Sequence, residues 1–531
     1  MRQAPMWEEA SVESGASRAG REGRRPVTGG RPRFKAVERG QAVFRAVVIE
    51  ELIEQDHPAR AIWEFAGKLD LSACCAPVKA VEGVAGREPW DVRLLASLWI
   101  YAYSRGIGSA REIARRCEHE PAFQWLTGLK RVNYHTLADF RVSHGAALEE
   151  AFAQVLGVLS AEGLVSLERV MHDGTKIRAC AGTDSFRREG RIEAHLRAAR
   201  EQVEAMGDPR EDTTVRQRAA RERARRERVE RLEAAREQLE KIRAAKADSE
   251  SKGQARASVT EPEARMMKQG DGGYAPSYNV QLSTEASNRC IVGVGVSQSG
   301  SDYRELPAAM ERVEKQAGRR PGQAVVDGGF TSRENIEAMG EQGVDLIGSL
   351  PDRSAQTEAQ MRRRGVDEAF YPSAFAYDDA KDEFRCPAGK VLRRDGQEKR
   401  RGVIQRQYRA SWKDCSACAW KERCCPTCLR ATHRRAAKKG RTIRRAEESP
   451  PVRAFVEKMQ TAAARAIYRL RGAVAEFPNA WIKEKIGLRK FRVRGIAKAL
   501  CETLWACMAY NIAQWIRLRW RARSATAAAT G

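Results

Sequence analysis

A chain of 531 residues with 42% hydrophobic residues is long enough for more than one domain and a large core. Lys plus Arg number 95 against 70 Asp plus Glu, a formal net charge of +25, so a polyanion is the first partner to consider, with nucleic acid ahead of an anionic membrane surface. A membrane-spanning chain is excluded by pattern: the most apolar late run, Ala499 to Ile516, is broken by Glu502, Asn511 and Gln514 and reads as a buried helix.

The N-terminal stretch MRQAPMWEEASVESGASRAGREGRRP has no apolar core of the kind a secretory signal needs, so a cytoplasmic location is expected. The 13 cysteines are then expected to be thiols or metal ligands. Residues 1–40, rich in Gly, Arg, Ser and Pro without a hydrophobic period, read as a disordered basic tail.

Residues 41–165 carry a helical pattern. Leu94, Leu95, Leu98, Trp99 and Tyr101 to Tyr103 make an apolar face, and Ser109 with Glu112 has the spacing of a capping box. Asn133 or Thr136 caps another helix over His135 to Arg141. Arg111, Arg115, Arg116, Lys130 and Arg131 give this all-α domain basic positions that suit DNA binding and equally suit solvated faces.

A first core segment spans 166–351. VMHDGTKIRAC, Val170 to Cys180, reads as a strand carrying Asp173 among the bases Lys176 and Arg178; His172 points to the other face and is structural. Residues 187–250 form an inserted helical hairpin. Ile192, Leu196, Ala199, Val203 and Met206 step as in a heptad seam, Gly207-Asp208-Pro209 breaks the helix, and Val229, Leu232, Leu239 and Ile242 run back. This arm is a dimerisation element, a clamp on a DNA backbone, or a solvated appendage. YNVQLST and CIVGVGVSQSG read as strands, DYRELPAAMERVEKQAG as a helix, QAVVDGGF as a buried strand ending at Asp327, TSRENIEAMGEQG as a helix capped by Thr331 or Ser332, and VDLIGSL as a last strand. A Cys-rich basic insertion follows at 352–446, then helices over 447–523 and a short tail at 524–531.

Three carboxylates stand out. Asp173 lies mid-strand, Asp327 lies at a strand's C-terminal end where open α/β sheets place ligands, and Glu476 lies on a late helix. Acids from separate elements can hold two divalent cations over a phosphodiester, and Mg²⁺ (or Mn²⁺) suits a site with few protein ligands. Tyr468, Arg471, Glu476 and Lys483 share the late helix, where Arg and Lys offer a phosphate grip.

DGTKIRA, VVDGGFTSRENI and YRLRGAVAEFPNAWIK resemble the three catalytic blocks of DDE-type insertion-sequence transposases, in the branch with a Tyr-Arg-Glu-Lys signature: Tyr468, Arg471, Glu476, Lys483. HPARAIW, YAYSRGIGSAREIARR and FQWLTGLKRVNYHTLADFR are similar to the helical N-terminal domain of such enzymes, and TEPEARMMKQGDGGYAPSYNVQ to the segment entering their second strand. The resemblance implies an α/β fold: an RNase H-like mixed-sheet catalytic core with an all-α N-terminal domain, an inserted helical hairpin and a Cys-rich insertion. It implies metal-dependent cleavage at element ends and strand transfer into target DNA, on double-stranded DNA and as a homodimer, without a membrane. Asp173, Asp327 and Glu476 would be catalytic metal ligands, and Tyr468, Arg471 and Lys483 would grip DNA. Pro478 departs from the pattern, and a kink there is expected to re-aim Lys483. By likeness to clusters in related transposases, Cys386, Cys415, Cys418 and Cys424 are the expected structural Zn²⁺ ligands, with Cys425 or Cys428 as substitutes and unmetallated thiols as the contrary reading. The basic run from Arg434 would then face DNA. A catalytically inactive DNA-binding relative and a metal-dependent nuclease without strand transfer are the alternatives.

Overall fold

Six helices open the fold, and most begin at a side chain that satisfies a free N–H group. They are α1 (Pro58–Ala66), α2 (Val92–Ser104), α3 (Ala110–His119), α4 (Pro121–Thr127), α5 (Tyr134–Ser143) and α6 (Gly145–Ala161). Asp91, Ser109 and Asn133 cap α2, α3 and α5. The capping box at Ser109 is half-formed: Ser109 accepts from the Glu112 N–H, while the Glu112 carboxylate turns to Arg115 and Arg116. The structure, a computed structural model, describes residues 42, 44, 46–75, 88–204, 214–246, 248–349, 354–400, 403–426 and 440–523. The expected N-terminal tail, Met206, the Gly207-Asp208-Pro209 break, Cys428 and residues 434–439 of the basic run lie outside the described residues.

The central sheet is mixed. Strand β1 (Arg169–Arg178) lies in its middle; β2 (Phe186–Arg187) and β3 (Ala257–Ser258) form a separate two-stranded root for the inserted hairpin. That hairpin is α7 (Glu189–Glu204) and α8 (Val215–Ala244), joined by Ile192, Leu196, Ala199, Leu232, Ala235 and Leu239, as the heptad stepping predicts. On one side of β1 runs β5 (Tyr274–Glu285), antiparallel, which in turn pairs with β4 (Arg265–Lys268) and β6 (Ile291–Ser297). On the other side lie β7 (Gln323–Val325) and β8 (Asp345–Ile347), both parallel. Helices α9 (Leu306–Ala317) and α10 (Arg333–Glu341) connect β6, β7 and β8, and Ser332 caps α10. α9 begins at Leu306, later than the apolar pattern from Asp302 predicts, because Asp302 is folded back onto the sheet.

After α11 (Ser354–Arg363) the chain builds a sheet that its polar sequence hides: β9 (Ala376–Asp378), β10 (Glu383–Arg385), β11 (Val391–Arg400), β12 (Val403–Ala410) and β13 (Thr442–Ala446), antiparallel in sequential order. Its one apolar face is Phe375, Phe384, Leu392, Tyr408 and Ile443. The chain then returns as α12 (Pro450–Gln460), α13 (Ala462–Arg469), a π turn over Gly472–Glu476, α14 (Phe477–Glu484) and α15 (Ile496–Trp515).

Helix α15 is buried almost all round and packs against α2, α5, α6 and β6, so the N-terminal helices share a core with the last long helix. Its polar residues are each partnered. The Glu502 carboxylate accepts from the Tyr103 hydroxyl at 3.3 Å and the Arg492 N–H at 2.9 Å, with Arg141 at 3.6 Å; burial still pushes its pKa up. Asn511 takes the Ile291 N–H and gives its amide to the Ile291 carbonyl, both at 2.8 Å. Gln316 does the same for Val294, so two side-chain amides close the edge of β6.

Asn511→Leu strands both main-chain groups of Ile291. It is expected to lower the unfolding free energy by about 2–4 kcal/mol, read as a lower urea midpoint at unchanged slope.

Candidate active site

The parallel register of β1 and β7 places Met171 opposite Val325. Asp173 lies two residues further along β1, and Asp327 lies two residues past the end of β7. Met171, Val325 and Ile347 make an apolar floor on one face of the sheet, and Val474 and Ala475 of the π turn pack onto it. Side chains two apart on a strand share a face, so Asp173 sits on the Met171 side of β1, and Asp327, just past the neighbouring strand, is near enough for its charge to bear on Asp173.

Asp173 is half-buried. Its Oδ1 accepts from the Gly174 N–H at 2.9 Å and its Oδ2 from Asn479 Nδ2 at 3.1 Å. Burial pushes its pKa up to about 6; the nearby Arg471 charge opposes the rise and the Asp327 charge adds to it. Asp327 stands in the turn that follows β7 at Gly328-Gly329, where its Oδ1 accepts from the Gly329 N–H at 2.8 Å. Glu476 closes the π turn. Its side chain is 66% exposed and lies 3.7 Å from the Arg471 guanidinium, which is only 17% exposed. Arg471 is thus sensed by Asp173 and paired to Glu476.

The structure therefore sets Asp173 beside Asp327 and leaves Glu476 turned toward Arg471. Among the described residues, no group of three or more His, Cys, Asp or Glu side chains is arranged to hold a metal ion as it stands. The donor chemistry fits a hard cation: burial and the Asp327 charge raise the cost of ionising Asp173, and a divalent ion relieves it. A buried Asn479 Oδ1 without a partner lies on the same helix face.

Lys483 is half-buried on the Asp173 side of α14; burial lowers its pKa and the Asp173 charge opposes that. Pro478 enters in the first turn of α14, where the π turn has already displaced the regular ladder, and so does not turn Lys483 away from Asp173. Tyr468 packs against the Met171 floor.

The opposite face of β1 is a closed polar network. His172 is 1% exposed and bonded to Ser283 and Gln281, its ring edge-on to Phe330; burial lowers its pKa to about 4, so it is neutral near pH 7, in keeping with a structural part. Lys176, one of the bases on the strand of Asp173, gives its ammonium to Asp302 at 3.0 Å. Asn279 and Gln281 donate to the same carboxylate. Burial alone would raise the Asp302 pKa, and these three donors together hold it below the usual range. A Cβ at Gly174 would meet Asp302 Oδ1 at 2.4 Å, so the glycine after Asp173 is what lets this network lie flat on the strand.

Sequence reasoning passed over Asn479 and Asp302. Asn479 lies three residues after Glu476 and four before Lys483, a helical spacing that marks it as a face-mate. Asp302 carried no such signal, since its partners come from another strand.

In the insertion, Cys386, Cys415, Cys418 and Cys424 line one small pocket with Cys425, Phe370 and Arg441. The Lys390 N–H donates to Cys386 Sγ at 3.3 Å and the Arg441 N–H to Cys415 Sγ at 3.4 Å. Burial raises the Cys415 thiol pKa, and raises Cys424 to about 11 against the pull of Arg441. Arg441, just before β13, is buried against the cysteine pocket, whereas Arg444 and Arg445 on β13 are exposed.

A family model described as a transposase DDE domain matches residues 385–516, and one described as a transposase domain (DUF772) matches residues 47–143. The first span takes in the cysteine pocket, Glu476 and its helix-mates, but neither Asp173 nor Asp327; the second takes in α1 to α5. No curated protein matches the chain. Among the described residues no helix is long and apolar enough to cross a membrane.

Between the ordinary carboxylate range and about pH 6, the folded chain keeps a proton on Asp173 that the unfolded chain has lost, so this group's contribution falls as pH rises through that window. Asp173→Asn in metal-free buffer is therefore expected to raise the urea midpoint at pH 8 and change it little at pH 4. A loss of stability at pH 8 would contradict the repulsive rim.

Proposed function

The chain belongs to the DDE-type insertion-sequence transposases, and from that premise we propose that it cleaves DNA at the ends of a mobile element and joins the freed 3′-hydroxyl to target DNA. The nearness of Asp327 and Arg471 to Asp173, with Glu476 3.7 Å from the same Arg471, is the observation that supports this reading. In this reading the six-stranded sheet is the RNase H-like core, with Asp173 on its central strand and Asp327 just past the neighbouring one. Phosphoryl transfer asks mostly for positioning and charge stabilisation.

Asp173, Asp327 and Glu476 would hold divalent cations, Mg²⁺ or Mn²⁺, which when bound polarise phosphoryl oxygens. Asn479 fixes the orientation of Asp173 through its 3.1 Å hydrogen bond. Arg471 offers a planar fork and Lys483 a point charge to phosphate oxygens, and Tyr468 flanks the same floor. We place the protein on double-stranded DNA, in the cytoplasm, as a homodimer. The cysteine pocket we read as a structural Zn²⁺ site of Cys386, Cys415, Cys418 and Cys424. The two N–H groups directed at sulfur support it, since such bonds steady thiolate ligands.

Purified protein incubated with labelled element-end DNA, a target plasmid and Mg²⁺ is expected to give joint molecules that vanish with EDTA and with Asp327→Ala. Cleavage without joining would support a nuclease instead, and binding without cleavage an inactive relative. Elemental analysis of the protein is expected to find about one zinc per chain, lost in Cys415→Ser with Cys418→Ser; an equal zinc content in that variant would remove the cysteine assignment.

A further inference from the structure

The inserted hairpin has two halves of different chemistry. From Val229 to Leu239, α8 lies against α7 through an apolar seam. Its root is fixed: Arg243 makes a bidentate pair with Glu189, Arg231 donates to the Val259 carbonyl, and Gln238 is bonded by Arg265. N-terminal to Val229 the same helical stripe continues, but its positions are Arg228, Arg225, Arg221 and Arg218. Steps of three, four and three keep these on the side that the apolar seam occupies lower down.

Arg218, Arg221 and Arg225 are exposed and Arg228 is half-exposed. Arg225 and Arg228 each give one guanidinium N–H to Gln202 at the end of α7, which orients their forks while leaving further donors. Along this stretch of α8 Arg216 and Arg223 add to the charge, Arg226 is paired with Glu222, and Glu227 is the other acid. A seam of arginines cannot bury against a second copy of itself without leaving charges unpaired, which disfavours a dimer contact there. It does match a polyanion. The stripe is about 15 Å long at 1.5 Å per residue, enough to follow roughly four phosphates of one DNA strand at 3.4 Å each.

We propose that the Arg218, Arg221, Arg225 and Arg228 face of α8 grips the sugar–phosphate backbone of duplex DNA, as a second contact held away from the acidic rim by a rigid helical lever. It rests on the reading that the chain acts on DNA, and gives that reading a sequence-independent anchor. Such a contact adds affinity through counterion release and carries no base specificity.

The test is the salt dependence of binding of the full chain to a labelled duplex of random sequence, followed by anisotropy. Replacing all four arginines with Gln is expected to flatten the slope of log affinity against log salt by about 0.9 for each phosphate that is no longer neutralised, so by roughly 2 to 4 in all, and to weaken binding at least about tenfold near 0.1 M salt. A four-Lys variant should keep most of the slope. Because Arg225 and Arg228 also touch α7, the Arg218→Gln, Arg221→Gln pair is measured separately, and should remove about half of the effect with helicity unchanged. An unchanged slope in the four-Gln variant overturns the proposal, as does a variant that turns a dimer into a monomer in sedimentation while the slope stays. Asp327→Ala should leave the slope intact while abolishing joining, so a chain that binds through α8 but never joins DNA would refute the transposase reading and spare this one.

Discussion

Everything at the candidate site depends on the contact between the π turn and the floor of the sheet. Met171, Val325 and Ile347 present a small apolar surface, and Val474 and Ala475 cover it. That packing is modest in area, yet it fixes three things together. The parallel register beneath it brings Asp173 and Asp327 side by side. The turn above it brings Arg471 near Asp173 and sets Glu476 against Arg471. The widened ladder of the π turn accommodates Pro478, which in a regular helix would clash with the carbonyl four residues back. Burial is the main cause of the raised pKa of Asp173, the Asp327 charge adds to it, and Arg471 offsets part of it.

The strands and their acids were legible because each acid follows a short apolar run with strong β character, and because the order of strands and helices fits one mixed sheet. The long helices were legible from their stepping, and α15 from an apolar run interrupted by polar residues that each find a partner. What escaped were features made by pairing across the fold. Lys176 looked like a companion of Asp173, but neighbours on a strand point to opposite faces, and Asp302 claims it. Asp302 itself looked like the first residue of a helix. Asn479 sat in plain view at helical spacing from Glu476 and Lys483, and was passed over because an amide signals less chemistry than a charge.

The insertion was the least legible part. Strands β11 and β12 carry Arg, Lys, Glu and Gln at most positions, so the alternation that marks a half-buried strand survives only at Leu392, Tyr408 and Ala410. Cysteines were visible as a cluster, whereas the sheet that presents them was not. Along the described end of the basic run Arg441 is buried against two of the thiols while Arg444 and Arg445 are exposed, a division that charge alone does not show. The helical arm shows the opposite case, where an arginine stripe continues an apolar seam and only the structure shows where packing stops and exposed charge begins.

The central claim is that Asp173, Asp327 and Glu476 serve one metal centre. The most direct measurement loads the protein with Fe²⁺ in place of Mg²⁺, adds peroxide and ascorbate, and maps backbone cleavage by mass spectrometry. Oxidants released at a bound iron cut the chain nearest to it. Cuts clustered near residues 173, 327 and 476 together, and suppressed by excess Mg²⁺, are the predicted result. Cuts confined to the cysteine insertion, or near only one of the three acids, would contradict a shared site.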